Sequence, residues 1–538
     1  MLVRRTQDPE YWRTFSPADD DVRYARDVIA ESSRPMETAE LARAIVYRRM
    51  HQERERIREM LDRGRFYNPA EAYEVGEELL FPALDFAAGV IVGKRAGYLP
   101  HHPPFQVISV QTGGAVREFA SEYTEAHKLN QSVQRAADLG EGISPAAVFE
   151  RFAEPVTGAV GSALAAAAES GFVQHEKRWY LRESMPDVHV GYLNLAEAVI
   201  EVAWESASGS GVQKPLTTDD ILGQVGLQGA SSPEVARFSM DLALARDERF
   251  VDVGDGNGHL WLLRRLVPEH AIGVPARLRH EPIAFSVEAI PTEALSLVWG
   301  VPDELSSMAA AATHLEERQT VDLVLPYPHW RAGTLPLTSG LASVLPQRES
   351  GLGVVTLMDP TSDERITAWV SYEHRYVSSL QGWYDAHQIP AGAFITVSRT
   401  NQAGVYTLGC KVKRRQQREF VRLVSVDGDK LAFEIRRQPM AVEFDETMVM
   451  LDETPQLTDG LWRRVTTSRR AISELLREVF AELAKLSPQG TVHFNTLYTA
   501  INVVRRCPPE PILAELSLDW RYVGVGSGYY AMDERVAV

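Results

Sequence analysis

Apolar positions along the chain follow two textures. Between Pro35 and Asp62, Leu41, Ile45, Met50, Ile57 and Leu61 recur among dense charges at the spacing of one helix face. Thr38, with Glu40 close behind, supplies the start signal. The charges of that helix, among them Arg54, Glu55, Arg56 and Arg58, balance as a solvated face laced with ion pairs. From Tyr73 the pattern changes to short β-type runs, YEVGEELLFP, AAGVIVGKRAGYL, FQVISVQT and REFAS, separated by glycine or proline. Such a series predicts a small five-stranded barrel over residues 71–125, because closure removes exposed strand edges.

Further along, helical stretches are three times followed by two aromatic strands around a polar or glycine-rich tip. The first pair is Phe172-Val173 and Trp179-Tyr180-Leu181, the second Phe250 to Val253 and Leu260 to Leu263, and the third Tyr522 to Val525 and Tyr529 to Met532. Each reads as a β-hairpin whose tip tolerates positive φ. Before the second come helices over Leu193–Trp204, Thr218–Gln224 and Pro233–Ala245, the last capped by Ser231 and Ser232. Before the third come Arg469–Lys485, Phe494–Val504 and Pro511–Leu516. Before the first come Pro145–Phe152 and Val156–Glu169, with Arg117–Leu129 as an opener. Three helices and then a hairpin is the order of a winged helix-turn-helix.

Between the second and third of these modules lie strand-like runs at 321–325, 353–357, 368–371, 394–397, 406–408 and 431–435, interrupted by one helix over Val377–Ala386. Their connections are short and polar.

Three resemblances follow. Val75-Gly76, Phe81-Pro82-Ala83-Leu84 and Gly89-Val90-Ile91 resemble small barrels of the Tudor and KOW kind, which bind proteins or nucleic acids. Phe250, Gly254, Gly256, Trp261 and Leu263, and more loosely Tyr522, Gly526, Gly528 and Tyr530, resemble the winged-helix modules of the bacterial RNA polymerase delta subunit and its relatives. The first copy lacks the glycines. Leu335, Leu337, Leu341, Trp369, Leu380, Trp383, Tyr384, Gly392 and Ile395 resemble the DNA-binding pseudobarrel of plant transcription factors and of some restriction-enzyme effector domains. These are core residues, so the resemblance concerns fold more than function.

The expected organisation is therefore multidomain α+β, with repeated winged helix-turn-helix modules, a small β-barrel and a β-pseudobarrel. The divisions are an N-terminal helical segment (1–70), the barrel (71–125), module 1 (126–185), module 2 (190–267), a helical linker (268–319), the pseudobarrel (320–455) and module 3 (462–538). With 538 residues and about 150 per domain, the chain has room for several such units.

Composition narrows the function. The chain has 56 Lys and Arg against 73 Asp and Glu, a formal net charge of −17, so any nucleic-acid contact must come from local patches. Two cysteines, Cys410 and Cys507, cannot build a disulfide framework or a four-cysteine zinc site. No signal-peptide core opens the chain, and no run of about 18 apolar residues occurs, so a cytoplasmic protein without a membrane span is expected.

Enzyme signals are missing. There is no P-loop, no G-x-S-x-G and no H-E-x-x-H. Gly254–Gly258 and Gly524–Gly528 lie between two strands rather than before a helix, and His101-His102 has no second ligand pair at metal spacing. Asp427, Asp429 and Glu434-Ile435-Arg436 hint at a nuclease pattern but carry arginine where lysine is needed. No catalytic residue, cofactor or metal is expected.

Two cationic clusters stand out instead. Lys411, Lys413, Arg414, Arg415, Arg418 and Arg422 against Glu419 give 6 − 1 = +5 on and just beyond a pseudobarrel strand. Arg463, Arg464, Arg469 and Arg470 give +4 at the entry to module 3, with Arg505 and Arg506 nearby. Around the pseudobarrel, His329, Trp330, Arg331, Arg365, His374, Arg375, Tyr376 and Arg399 mix cations with aromatics, a combination suited to phosphate contact and base stacking. The third helices are poorly equipped to read bases: Val156–Glu169 is alanine-rich, Pro233–Ala245 sets Arg237 against Glu234 and Asp241, and Pro511–Leu516 offers Glu515.

The reading that follows is a non-enzymatic DNA-binding protein of transcription or defence, touching DNA through the pseudobarrel and the C-terminal clusters. The nucleic-acid contacts expected are Lys411, Lys413, Arg414, Arg415, Arg418, Arg463, Arg464, Arg469, Arg470, Arg331, Arg375 and Arg399. The alternative is a scaffold docking onto RNA polymerase or another nucleic-acid machine. Nothing in the sequence fixes oligomeric state.

Overall fold

Three aspartates, Asp19–Asp21, open the helix Asp19–Ser32, where negative charge suits the positive helix end. Asp21 also pairs with Arg49 of the next helix, Thr38–Asp62. In this computed structural model residues 5–533 are described, except 63–64, 82–83, 85–86, 101, 126–142, 168–170, 208–213, 255–257, 307–317 and 349. The side chains at 57, 60–62, 207 and 414–417 are also outside the described set, so Ile57 and Leu61 of the predicted stripe are not placed. The chain is α+β and divides into two units, residues 1–187 with 227–242, and residues 188–226 with 243–538. Among the described residues no helix is long and apolar enough to cross a membrane.

In the first unit, Met36–Glu37 pairs with the strand Arg178–Leu181, which pairs in turn with Phe172–His175. The Trp179 indole N–H donates to Thr38 Oγ1 at 2.9 Å and ties this sheet to the helix start. Helix Pro145–Ala166, capped by Ser144, packs on Thr38–Asp62. It is two helices joined across a kink at Phe152 (φ −122°), near the break expected between Pro145–Phe152 and Val156–Glu169 and three residues before Pro155, which has no N–H to donate to Arg151. The core gathers Trp12, Ile29, Leu41, Ile45, Val160 and Trp179 with Val235, Phe238 and Leu242.

The opener expected over Arg117–Leu129 is corrected. Ala115–Ser121 is a strand, and 126–129 lie outside the described residues. The helices that precede the first hairpin come from far upstream, Asp19–Ser32 and Thr38–Asp62. The five-stranded sheet is thus inserted between the second and third helices of that arrangement. Its strands, Arg65–Phe66, Glu78–Phe81, Ala87–Gly97, Phe105–Thr112 and Ala115–Ser121, pair in sequence order over a core of Tyr67, Tyr73, Phe81, Ile91 and Ile108. Between its two edges the Tyr67 hydroxyl donates to the Ala120 carbonyl at 2.7 Å, so the sheet curls, with no closing ladder among the described residues.

In the second unit the order helix, short strand, helix, helix, hairpin recurs twice. One set is Val190–Ala207, Leu216–Thr217, Thr218–Val225, Pro233–Arg246 and Phe250–Asp252 with Leu260–Leu263, its third helix beginning within the first unit's residues. A capping box of Thr217 and Asp220 starts Thr218–Val225. The other set is Ile472–Ala484, Thr491–His493, Phe494–Val504, Pro509–Leu518 and Tyr522–Gly526 with Tyr529–Met532. Its hairpin tip has positive φ at Gly526, Ser527 and Gly528, as the glycines predicted.

Seven strands form the largest sheet, in the order 320–324, 394–399, 405–410, 352–358, 365–371, 376–378 and 335–336. It curls into a half-barrel, and at its seam a Cβ on Gly340 would lie 3.2 Å from Val321. The helix Gln381–Ala386 fills the interior with Trp383 and Tyr384, whose polar tips donate to Asp359 and to the Thr334 carbonyl at 2.9 and 2.8 Å. This helix starts later than expected, because Val377 belongs to a strand paired with both Leu335 and Val370.

A second correction concerns 412–442. Val412–Asp427 and Lys430–Val442 form a long two-stranded ribbon turning at Gly428, extended by the short strand Leu451–Asp452. It is a sheet of its own, not part of the half-barrel.

Candidate nucleic-acid interface

Strand alternation sets Arg418, Phe420, Arg422, Val424 and Val426 on one face of the ribbon, opposite Pro439, Arg437, Ile435, Phe433 and Leu431. Toward the turn this face is apolar, and Val424 and Leu431 join the core of the C-terminal helices. Away from the turn it is cationic and open. Phe420 is 69% exposed, and the Arg437 guanidinium lies over its ring at 5.6 Å. Arg437 Nε–H also donates to the Arg418 carbonyl at 3.3 Å. Among the described residues neither Arg418 nor Arg437 has an ion-pair partner.

Arg422 sits where the two halves of the face meet. Burial pushes its pKa below the ordinary arginine value, with Tyr529 and Asp445 opposing at longer range. Its Nη1–H donates to the Val449 carbonyl at 3.3 Å, and no carboxylate pairs with it among the described residues. It lines a cavity of about 380 Å³ between the ribbon and the C-terminal hairpin, walled by Phe420, Ile435, Leu483, His493 and Tyr529, with Glu419 and Glu446 also on the lining. His493 caps its helix, its Nδ1 accepting from the Asn495 N–H at 3.1 Å, and its ring meets Tyr529 edge-on at 4.9 Å. Burial lowers its pKa, so near neutral pH the positive charge of this cavity is that of Arg422.

The cations picked out from the sequence separate into two groups. Four of the twelve are paired with carboxylates remote in sequence: Lys411 with Asp322 at 2.8 Å, Arg464 with Asp429 at 3.2 Å, Arg469 with Glu281 at 3.7 Å and Arg331 with Asp459 at 2.6 Å. Closer in the chain, Lys413 pairs with Glu419 at 2.8 Å, and Arg470 pairs with Glu474 and Glu478. Arg399 donates to the carbonyls of Val344 and Ser343 at 2.8 and 3.1 Å, and thereby holds a loop. Arg375 is half-buried in a left-handed conformation and shares a second cavity, about 370 Å³, with Lys411 and Arg318. Arg418 and Arg463 remain exposed and without an ion pair among the described residues, while the side chains of Arg414 and Arg415 lie outside the described set. Exposed pairs stabilise little, about 0–1 kcal/mol each, but they cancel the local field that a phosphate would feel.

Arg437 was not singled out in the sequence, and Arg422 was counted in its cluster without being placed among the expected contacts. A pairing register is what puts both beside Phe420.

Two other cations turn inward. Arg506 is buried, its guanidinium spanning both Asp303 oxygens at 2.7 Å and reaching Glu304 at 2.8 Å. Glu304 binds His329 Nε2 at 2.7 Å, and Tyr498 donates to Asp303 at 2.7 Å. Burial alone would raise the Glu304 carboxyl, but Arg506 and His329 together hold it below the ordinary range. Burial would likewise lower Arg506, and Asp303 and Glu304 outweigh it. Arg505 donates to the Arg470 carbonyl. Helix Pro509–Leu518 is buried over most of its length, including Glu510, which accepts from the Ser306 hydroxyl at 2.6 Å. Its surface is therefore closed to an outside partner.

Comparison with known protein families, with curated proteins and with solved structures finds no match.

Proposed function

We propose that this is a non-enzymatic, cytoplasmic nucleic-acid-binding protein with DNA as its partner, and that the ribbon is its main contact surface. In this reading the three helix-and-hairpin sets are winged-helix modules, the first carrying a Tudor/KOW-like barrel as an insertion, and the half-barrel is a pseudobarrel of the DNA-binding kind. The observation that supports it best is the open ribbon face, where Arg418 and Arg437 flank an exposed Phe420 without carboxylates to neutralise them. Cations beside a stacking ring meet the two needs of nucleic-acid binding, phosphate neutralisation and base contact. The burial of Pro509–Leu518 supports contact by strands rather than by that third helix.

Fluorescence anisotropy with labelled DNA across a salt series tests this. The Arg418→Ala/Arg437→Ala double variant is expected to lose about tenfold or more in affinity and to flatten the salt slope. Arg464→Ala, which breaks a surface ion pair, is expected to change little. Absence of binding at low salt, or an unaltered double variant, overturns the reading.

A second reading rests on one other surface. Helix Val190–Ala207 leaves Val190, Leu195 and Val202 exposed at 65%, 52% and 63%, an apolar set that fits docking onto a protein machine such as RNA polymerase. Purified polymerase retained by the wild type and lost with Leu195→Asp/Val202→Asp would favour it.

A further inference from the structure

We infer that the cavity behind the ribbon seats one unpaired nucleotide, its phosphate on Arg422 and its base against Phe420 and Tyr529, so that the groove takes single-stranded rather than duplex nucleic acid. The inference rests on the nucleic-acid reading above and names the form of the partner.

The first argument is charge. A guanidinium withdrawn from water and given one carbonyl is poorly compensated, and a buried cation is normally paired. The contrast lies in the same unit: Arg506, more fully withdrawn, has two carboxylates. An anion arriving at Arg422 supplies what the fold does not, and a phosphate oxygen matches the fork of a guanidinium.

Size and lining give the second. At about 380 Å³ the cavity is at the lower end of small-ligand sites, room for one nucleotide and not for a duplex. Its walls mix apolar and aromatic groups, Ile435, Leu483 and Tyr529 among them, with the hydroxyls of Thr447 and Ser487 and the carboxylates Glu419 and Glu446, and Phe420 keeps 69% of its surface open even with Arg437 over it. Tyr529, 41% exposed, is braced edge-on by His493. A base freed from pairing can stack in such a site, whereas a base held in a helix cannot reach it. Arg418 and Arg437 then meet the phosphates to either side.

The full-length chain is titrated with a labelled single-stranded oligonucleotide and with the blunt duplex of the same sequence. Single strands are expected to bind about tenfold more tightly, with Arg422→Met removing about that preference while duplex binding stays put. Arg422→Met should melt at or above the wild-type temperature without ligand, because it removes a desolvated charge and keeps the side-chain length. If Arg422→Met leaves single-strand affinity unchanged while Arg418→Ala/Arg437→Ala weakens it, the cavity inference is overturned and the ribbon reading stands. If neither form of nucleic acid binds any variant, both fall. Adenosine monophosphate is the remaining arm. If it raises the melting temperature of the wild type but not of Arg422→Met, and oligonucleotides do not bind, the site serves a free nucleotide and the single-strand assignment is overturned.

Discussion

Arg422 and Arg506 show how one residue type serves opposite ends. Arg506 is fully buried and Arg422 half-buried, and their partners differ more sharply still. Arg506 holds Asp303 and Glu304 in a network with no exposed member, so removing it strands two carboxylates. Arg506→Met is expected to cost about 3–5 kcal/mol, measured by urea unfolding. The pH dependence has a definite sign. Glu304 titrates below its ordinary value in the fold, so its contribution is complete above the ordinary carboxylate range and is lost as pH falls through and below it. Urea midpoints taken from neutral pH down to about pH 4 should fall in the wild type and fall less steeply in Glu304→Gln.

At the scale of elements, local signals and their limits are visible side by side. Gly392 stood out in the pattern around the half-barrel, and the structure gives the reason. Its φ is +90°, and a Cβ there would lie 2.6 Å from the Val449 Cα. Gly392→Ala is expected to destabilise by about 2 kcal/mol or more, read as a lowered melting temperature, since strain and backbone collision act together. The ribbon was legible only in part. Leu431–Ile435 reads as a strand, but its partner, VKRRQQREFVRLVSVD, mixes cations into both faces and hides the two-residue period.

For the whole molecule, the net charge of −17 sets how nucleic acid could be held. Six of the twelve cations expected to meet nucleic acid are answered by carboxylates, so the contact should be narrow. Arg418, Arg422 and Arg437 neutralising three phosphates of a single strand predict a slope of log affinity against log salt of about −2, measured by the same anisotropy series. A much steeper slope would mean that the ion-paired clusters open and join in. The five-stranded sheet inserted in the first helix-and-hairpin set belongs to this scale too. Its strands read clearly, yet nothing nearby announced that Met36–Glu37 would pair with Trp179 and Arg178.

By itself the sequence determined which segments become helices, hairpins and β-rich regions, because caps, turn glycines and hydrophobic period act over a few residues. It also placed the cationic clusters on the chain. Only the tertiary structure decided which cations keep their charge available: Asp322, Asp429, Glu281 and Asp459 arrive from distant segments to pair with Lys411, Arg464, Arg469 and Arg331. It also decided that helix Pro509–Leu518 is buried and that Phe420, Arg422 and Arg437 share one face. Neutralisation and stacking depend on distances of a few ångströms, and chain folding sets those distances between residues that sequence spacing leaves far apart.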